Sequence, residues 1–375
     1  MSHDPRQRGS RPIKIAYTFD RKTDNLARGL TYEECSIYES DENIERVAET
    51  MRKLGYEVDL VGNLEAVVKR LASDPLPDWD LVFNYAEGTT GSAAMREARL
   101  PALLEAYGYT CALADSLGMV QGNHKVLTKM ILDYHKIPNS PYAIVPSLDS
   151  GYSDEKSLAQ SAITSSPYVH ALQTYPLFIK PSCDTCSRGI GSINKILSPA
   201  DLEPAVAHLR QQFPDQEVLI EPFLSGREIT ITIVGTGPDA RVIGAREMTW
   251  PKGNQWENQD FYSFERKLEV EEAWPDYSHP NLTDPLIMKC IDPALAAYRV
   301  VGCRDIGRVD VRFDKEGDDA APVVMEASLQ AQINSPQLVL HRFSAAGDAH
   351  SRNYIQSVEC NRNRPALRDN VGRPV

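Results

Sequence analysis

Residues 307 to 328, GRVDVRFDKEGDDAAPVVMEAS, constrain the fold more tightly than any other stretch. In an extended strand successive side chains point to opposite faces, so Val309, Val311 and Phe313 share one face and Arg308, Asp310 and Arg312 the other. An acidic, glycine-containing turn follows, and the returning run carries Val324, Glu326 and Ser328 on one face. A hairpin centred near Asp318 places Asp310 opposite Glu326 and Arg308 opposite Ser328. Two carboxylates facing each other across a ladder repel. They tolerate that closeness best with a cation between them, and oxygen-only ligands suit magnesium or calcium rather than zinc. The alternative is a solvated surface hairpin with scattered charges.

A chain of 375 residues exceeds the usual size of one core, which predicts two or three domains. With 42% apolar and 25% charged residues it has the composition of an ordinary globular protein. The net charge of -12 opposes nonspecific binding to nucleic acid or to an anionic membrane, since both would repel it. The opening MSHDPRQRGSRP reads as a disordered tail over residues 1–12, without the apolar stretch of a signal peptide. Nowhere is there a run of about 18 apolar residues, so a cytoplasmic protein is expected. Seven scattered cysteines, an odd number, point to reduced thiols. Cys183 and Cys186 have redox-motif spacing but lack flanking histidines and a strand-to-helix context, and read as a coincidence within a loop.

Along the chain, strands at 13–19, 56–61 and 80–86 alternate with helices at 40–55 and 64–72. This alternation predicts a parallel sheet covered by helices. Ser40 caps the first of these helices, Gly55 stops it, and Ile44, Val47, Ala48, Met51 and Leu54 form its buried stripe. After EGTTGS a helix runs to Gly108 and a short strand occupies 109–112, closing an α/β domain over 13–118. A second, α+β block over 119–216 holds a helix at 124–141, a Ser-rich surface excursion at 147–167, strands at 175–181 and 193–196, and a helix at 199–213. The third block, 217–375, opens with two strands around a Ser-Gly turn in EVLIEPFLSGREITITIV. Glu228, Thr230 and Thr232 share one face there, opposite Ile229, Ile231 and Ile233. The stretch 249–283 is long enough to be a lid or binding loop, and a helix at 284–301 leads into the hairpin.

Magnesium held by two carboxylates is most often half of a nucleotide site, and the other half must be cations and backbone donors for phosphates. Lys125 is one candidate. Lys180 is another, at the end of an apolar strand just before a loop with Gly189 and Gly191, where an ammonium and bare amides can meet one phosphate. A solvated strand-end charge is the alternative for either lysine. The Walker, dinucleotide-binding and protein-kinase signatures are absent.

Taken in order, Lys125, FIKP with its Ser/Gly loop, VLIEPFLSGREITI, GRVDVRF and VMEAS resemble the ATP-grasp superfamily, in its D-alanine:D-alanine ligase-like branch, over about residues 13 to 345. The resemblance implies an ATP-grasp fold in which two α+β subdomains clamp ATP between antiparallel sheets. It also implies an ADP-forming carboxylate-amine ligase that uses ATP with Mg2+ or Mn2+ and works through an acyl phosphate. By the same resemblance Lys125 and Lys180 would contact the α- and β-phosphates, and the loop with Ser187, Arg188, Gly189 and Gly191 would close over the transferred one. Glu221 and the backbone of Phe223 and Leu224 would meet adenine, and Glu228 the ribose. Lys267, in FYSFERKL, would reach the γ-phosphate. Asp310, Glu326 and Ser328 fall on the metal positions, and Arg308 on the residue that steadies the oxyanion. Small carboxylate and amine substrates and a homodimer are implied as well.

The sequence departs from that pattern at several points. The family's Glu-x-Asn is Glu326-Ala327-Ser328 here, and LQAQINSP replaces the Pro-Gly turn that follows. Glu87 stands where the cell-wall ligases often carry histidine, so an acid there could hold a substrate ammonium, or merely cap its turn. LTYEECSIYES lacks the Ser-rich substrate signature, which leaves Glu33 and Glu34 as substrate candidates. These departures point to an amino-acid-like ligase outside the D-Ala-D-Ala reaction. The competing readings are an ATP-binding regulator without turnover and a phosphotransferase using the same acid pair.

Overall fold

The computed structural model describes residues 11–89, 91–151, 157–183, 187–249, 261 and 276–328. They fall into two compact units, one of residues 11–89 and 97–116, the other of 91–96 and 117–328.

The first unit is a parallel sheet in the order β2-β1-β3-β4. Its strands are β1 (Lys14–Phe19), β2 (Glu57–Gly62), β3 (Leu81–Tyr85) and β4 (Cys111–Ala112). Its helices are α1 (Lys22–Ala27), α2 (Asp41–Lys53), α3 (Leu64–Leu71) and α4 (Arg99–Ala106). All of β3 and all of β1 but Lys14 is buried, Thr18 and Asn84 included, because a central parallel strand is covered on both faces. In α2 the stripe Ile44, Val47, Ala48 and Met51 is buried, and Ser40 Oγ accepts from the backbone N–H of Asn43 at 3.2 Å. Val61, Val67, Leu71, Trp79, Val82, Leu100 and Leu104 build a core under α3 and α4. The helix expected directly after EGTTGS begins only at Arg99, behind a short 3-10 turn at Ala93–Met95.

The second unit holds two antiparallel sheets. One, in the order β5-β8-β6-β7, joins β5 (Ala143–Val145), β6 (Leu177–Pro181), β7 (Lys195–Ile196) and β8 (Val218–Pro222). The other, β11-β10-β9-β12-β13, joins β9 (Glu228–Val234), β10 (Arg241–Thr249), β11 (Asp276–Ser278), β12 (Ile306–Phe313) and β13 (Pro322–Ser328). The helices are α5 (Ser116–Asn123), α6 (Lys125–Tyr134), α7 (Leu158–Ser165), α8 (Pro199–Gln212) and α9 (Pro285–Val300). The larger sheet buries Ile229, Ile231, Ile233, Val309, Val311 and Phe313, and α9 packs against it with Ile287, Cys290, Ala294, Ala297 and Tyr298 in the interior.

Four sequence expectations need correction. The helix expected over 124–141 stops at Tyr134, because Lys136 turns left-handed (φ 57°) and Pro138 disfavours helix before it. The Ser-rich excursion at 147–167 contains α7, whose Ala159 and Ile163 belong to the core of the smaller sheet. β8 and β9, read as consecutive strands of one block, lie in different sheets, with β8 paired between β5 and β6. By sheet membership the chain passes to the larger sheet between Pro222 and Glu228. Finally, β13 bulges opposite the Asp310/Val311 step, so Val324 pairs with Val311 and is buried with it instead of sharing a face with Glu326. None of the helices among the described residues is long and apolar enough to cross a membrane.

Candidate functional site

The polar face of the larger sheet is laid out in rows by its register. Thr230 of β9, Asp310 of β12 and Glu326 of β13 form one row. Thr232, Arg308 and Ser328 form the next, and Glu228 stands beside Arg312 in a third. The alternation that buries the isoleucines of β9 and the valines of β12 is what turns these side chains to the opposite side.

Within the first row Thr230 donates from Oγ1 to Asp310 Oδ1 at 2.7 Å, and Arg308 Nε lies 3.4 Å from Asp310 Oδ2. Burial pushes the Asp310 carboxyl above the ordinary aspartate range; Glu326 adds to this, while Arg308 and the Thr230 hydroxyl pull the other way. Glu326 behaves oppositely. Burial alone would raise it, but Lys125, with its Nζ 3.3 Å away, then Arg308 and Lys180, hold it down to about 2. The Glu228 carboxyl is raised, first by burial and then by Asp310 and Glu326, against the pull of Arg312. Arg312 Nη1 lies 3.4 Å from Glu228 Oε2, and its Nε donates to Gly226 O at 3.2 Å.

The second group comes from the smaller sheet and α6. Lys180, next to last in β6, lies 2.5 Å from Glu221 Oε2, while Lys129 lies 2.6 Å from Glu221 Oε1. All three side chains are buried. Burial favours the neutral form of Glu221, yet the two lysines hold its carboxyl below the ordinary range; burial depresses Lys129. Lys129 also donates to Ser140 O at 2.9 Å. Sequence reasoning missed Lys129, although its spacing of four from Lys125 on a helix was the available signal. The start of α6 is fixed by Lys125 N, which donates to Ser182 O at 2.8 Å.

The loop after β6 is shaped by positive φ angles at Ser187 (58°) and Gly189 (73°). A Cβ at Gly189 would come within 2.7 Å of the Phe213 ring. Asn194, also missed, organises this loop. Its Oδ1 accepts from Gly191 N at 2.7 Å, and its Nδ2 donates to Ile179 O at 2.7 Å and Gly189 O at 2.8 Å. Just past β8 the Phe223 ring has Lys195 Nζ 4.2 Å and the Arg312 guanidinium 5.2 Å from its centroid, with Phe178 tilted against it and Phe261 in a T-shaped contact. Leu224, next in the chain, is buried.

The substrate candidates belong to the first unit. Glu33 is exposed, Glu87 is half-buried just past β3, and Glu34 accepts from Thr31 N at 2.8 Å, closing its own turn. Lys267, Cys186 and the LQAQINSP stretch lie outside the described residues.

Asp310, Glu326 and Ser328 fit a hard divalent ion, since all three offer oxygen and the two carboxylates face each other across the ladder. No three His, Cys, Asp or Glu side chains converge among the described residues.

The sequence model of the D-ala D-ala ligase C-terminus family matches residues 135–326. A D-alanine--D-alanine ligase of Bordetella petrii is 26% identical over 324 residues, covering 85% of this chain and 87% of its own. Among solved structures, a D-alanine--D-alanine ligase from Bacillus anthracis complexed with ATP superposes with a TM-score of 0.60 at 17% identity, covering 96% of this chain and all of that one (100%). The VanG D-Ala:D-Ser ligase of Enterococcus faecalis gives 0.58 at 18% identity, covering 85% and 90%. At such identities the two structures bear on the fold, and they share it. With its parallel first unit, its two antiparallel sheets and a family match over half its length, the chain belongs to the D-ala D-ala ligase C-terminus family and is a ligase-like protein of the ATP-grasp fold.

Proposed function

We propose that this protein is an ATP-dependent carboxylate-amine ligase that joins two small amino-acid-like substrates through an amide bond, with a pair other than two D-alanines. The observation that carries the reading is the Thr230, Asp310, Glu326 row, in which facing acids are interleaved with Lys125 and Arg308 at 3.3 and 3.4 Å. Such alternation of sign suits a metal and phosphates together better than a surface hairpin.

Bound MgATP would supply the phosphoryl group that makes a substrate carboxylate oxygen a leaving group. Asp310, Glu326 and Ser328 would hold the metal. Lys125 would exchange Glu326 for phosphate, Lys180 would add a second cation anchored by Glu221, and the loop from Ser187 through Gly189 to Gly191 would offer backbone amides. Glu228, steadied by Arg312, would accept the ribose hydroxyls. Arg308 would neutralise the oxyanion formed when the amine attacks. Glu87, Glu33 and Lys267 remain proposed contacts to substrate and to the transferred phosphate. The Glu326-Ala327-Ser328 sequence and the acid at Glu87 support a second substrate other than D-alanine.

The test is a mixed screen of amino acids and amines with MgATP, read by mass spectrometry. The expected product is lighter by one water than its two components and forms with release of ADP and phosphate, and it disappears in Asp310→Asn and in Glu326→Gln. ATP binding without phosphate release across the panel would favour a nucleotide-dependent regulator. A phosphorylated product needing no amine would favour a phosphotransferase.

A further inference from the structure

The loop that follows β6 leaves its strand through a closed ring of contacts within the second unit. Lys125 N, at the start of α6, donates to Ser182 O at 2.8 Å, and Ser182 N donates to Glu217 O at 3.0 Å, just before β8. The His124 side chain closes the ring, with its Nε2 3.4 Å from Glu217 Oε2. Gln216, buried, fastens the next residue of the loop, its Oε1 accepting from Cys183 N at 2.9 Å. The ring fixes where α6 begins, and with it Lys125, whose Nζ lies 3.3 Å from Glu326 on the larger sheet.

His124 is the N-cap of α6, where Ser, Thr, Asp or Asn would satisfy a free backbone N–H, yet its side chain makes no such bond. Its Nδ1 is buried without a hydrogen-bond partner, so the imidazole is held through Nε2 alone. Capping does not explain the residue; the contact with Glu217 does.

The strength of that contact depends on one proton. Burial pushes the imidazole below the ordinary histidine range and Lys125 adds to this, while Glu217 pulls it back. Glu217, from the entry to β8, and Lys125, from α6, are the charged groups acting on it, and the exit of β6 brings Ser182 and the buried free thiol of Cys183. A cation at a helix N-terminus also opposes the helix dipole. Phosphate held by Lys125 would bring anions to the same corner, offset both the ammonium and the dipole, and favour the imidazolium.

We infer that His124 is a positioning residue of the nucleotide site: it takes up a proton from solvent when phosphate settles against Lys125, and the imidazolium, drawn onto Glu217, locks the start of α6 to the base of the loop. The inference rests on the nucleotide-binding part of the ligase reading and adds a pH dependence that this reading does not require.

The probe is MgATP at saturating magnesium, titrated calorimetrically into the full chain from about pH 5 to 8, the range in which histidine changes charge. Buffers of different ionisation enthalpy report the protons taken up. His124→Gln keeps a side-chain N–H for Glu217 but cannot titrate, so subtracting its profile removes the titration of the nucleotide itself. As pH falls, wild-type affinity is expected to gain about tenfold over His124→Gln, the factor for one unit of pKa displacement, with a proton uptake that the variant lacks. In Glu217→Gln the step moves to lower pH. Parallel profiles or equal proton uptake in the wild type and His124→Gln, or an unmoved step in Glu217→Gln, would overturn the assignment and leave the ligase reading standing. No MgATP binding at any pH would overturn both.

Discussion

Glu221 illustrates how much one buried carboxylate can organise. Lys129 and Lys180 converge on it from α6 and β6, and removing the shared anion leaves two ammonium groups in the interior. Breaking a buried pair from one side typically costs about 3–5 kcal/mol, so Glu221→Gln is expected to lose that much stability in urea denaturation. Lys129→Met keeps the pair with Lys180 and should lose less. Asp310 gives the opposite sign. Its carboxyl is raised in the fold, so ionisation at neutral pH works against folding, and protonation relieves it as pH falls through the raised value. Asp310→Asn is therefore expected to raise the melting temperature of the ligand-free protein, within the ~0.5–2 kcal/mol of stabilising single changes, while abolishing ADP formation. Glu326 behaves as the usual depressed acid. Its contribution is complete above the unfolded glutamate value of roughly 4.3 and disappears as pH falls from there toward about 2. In an acid titration Glu326→Gln should flatten the loss of stability in that window.

Among the elements, the connection between β8 and β9 carries the chain from one sheet to the other. Gly226 makes this crossing possible, since its N–H donates to Phe313 O at 3.2 Å and a Cβ there would sit 2.4 Å from Lys315 O. Overpacking costs about 1–3 kcal/mol, and Gly226→Ala should reach the upper end because the clash is with backbone. Equilibrium denaturation of the variant measures it. The bulge in β13 acts at the same scale. Without the extra residue at Met325 the strand could not present Val324 to the core and Glu326 to the site. Centring the hairpin near Asp318 anticipated the pairing of Asp310 with Glu326, because the register it sets is the one that holds on the open-end side of the bulge. Strict alternation along PVVMEAS misplaced Val324, since a bulge leaves no distinct mark in a run of apolar residues.

For the whole molecule, binding and stability are linked. A ligand that binds only the folded state stabilises it by roughly 2.7 kcal/mol at 100 times its Kd. MgATP is therefore expected to raise the melting temperature of the wild type saturably and to do so far less in Asp310→Asn, a comparison that scanning fluorimetry reads directly. The sequence by itself determined the alternation of strand and helix in the first unit, the caps of α2, the two faces of β9 and β12, and the Asp310/Glu326 and Arg308/Ser328 pairs. All of these follow from local periodicity and from ladder geometry between strands joined by a short turn. Only the tertiary structure decided that β8 leaves β9 for another sheet, that α7 packs into a core, that Lys129 shares Glu221 with Lys180, and that Asn194 ties the loop at Gly189 and Gly191. Those contacts join residues distant in the chain, and a burial or an ion pair of that kind is set by which surfaces meet rather than by any spacing along the polypeptide.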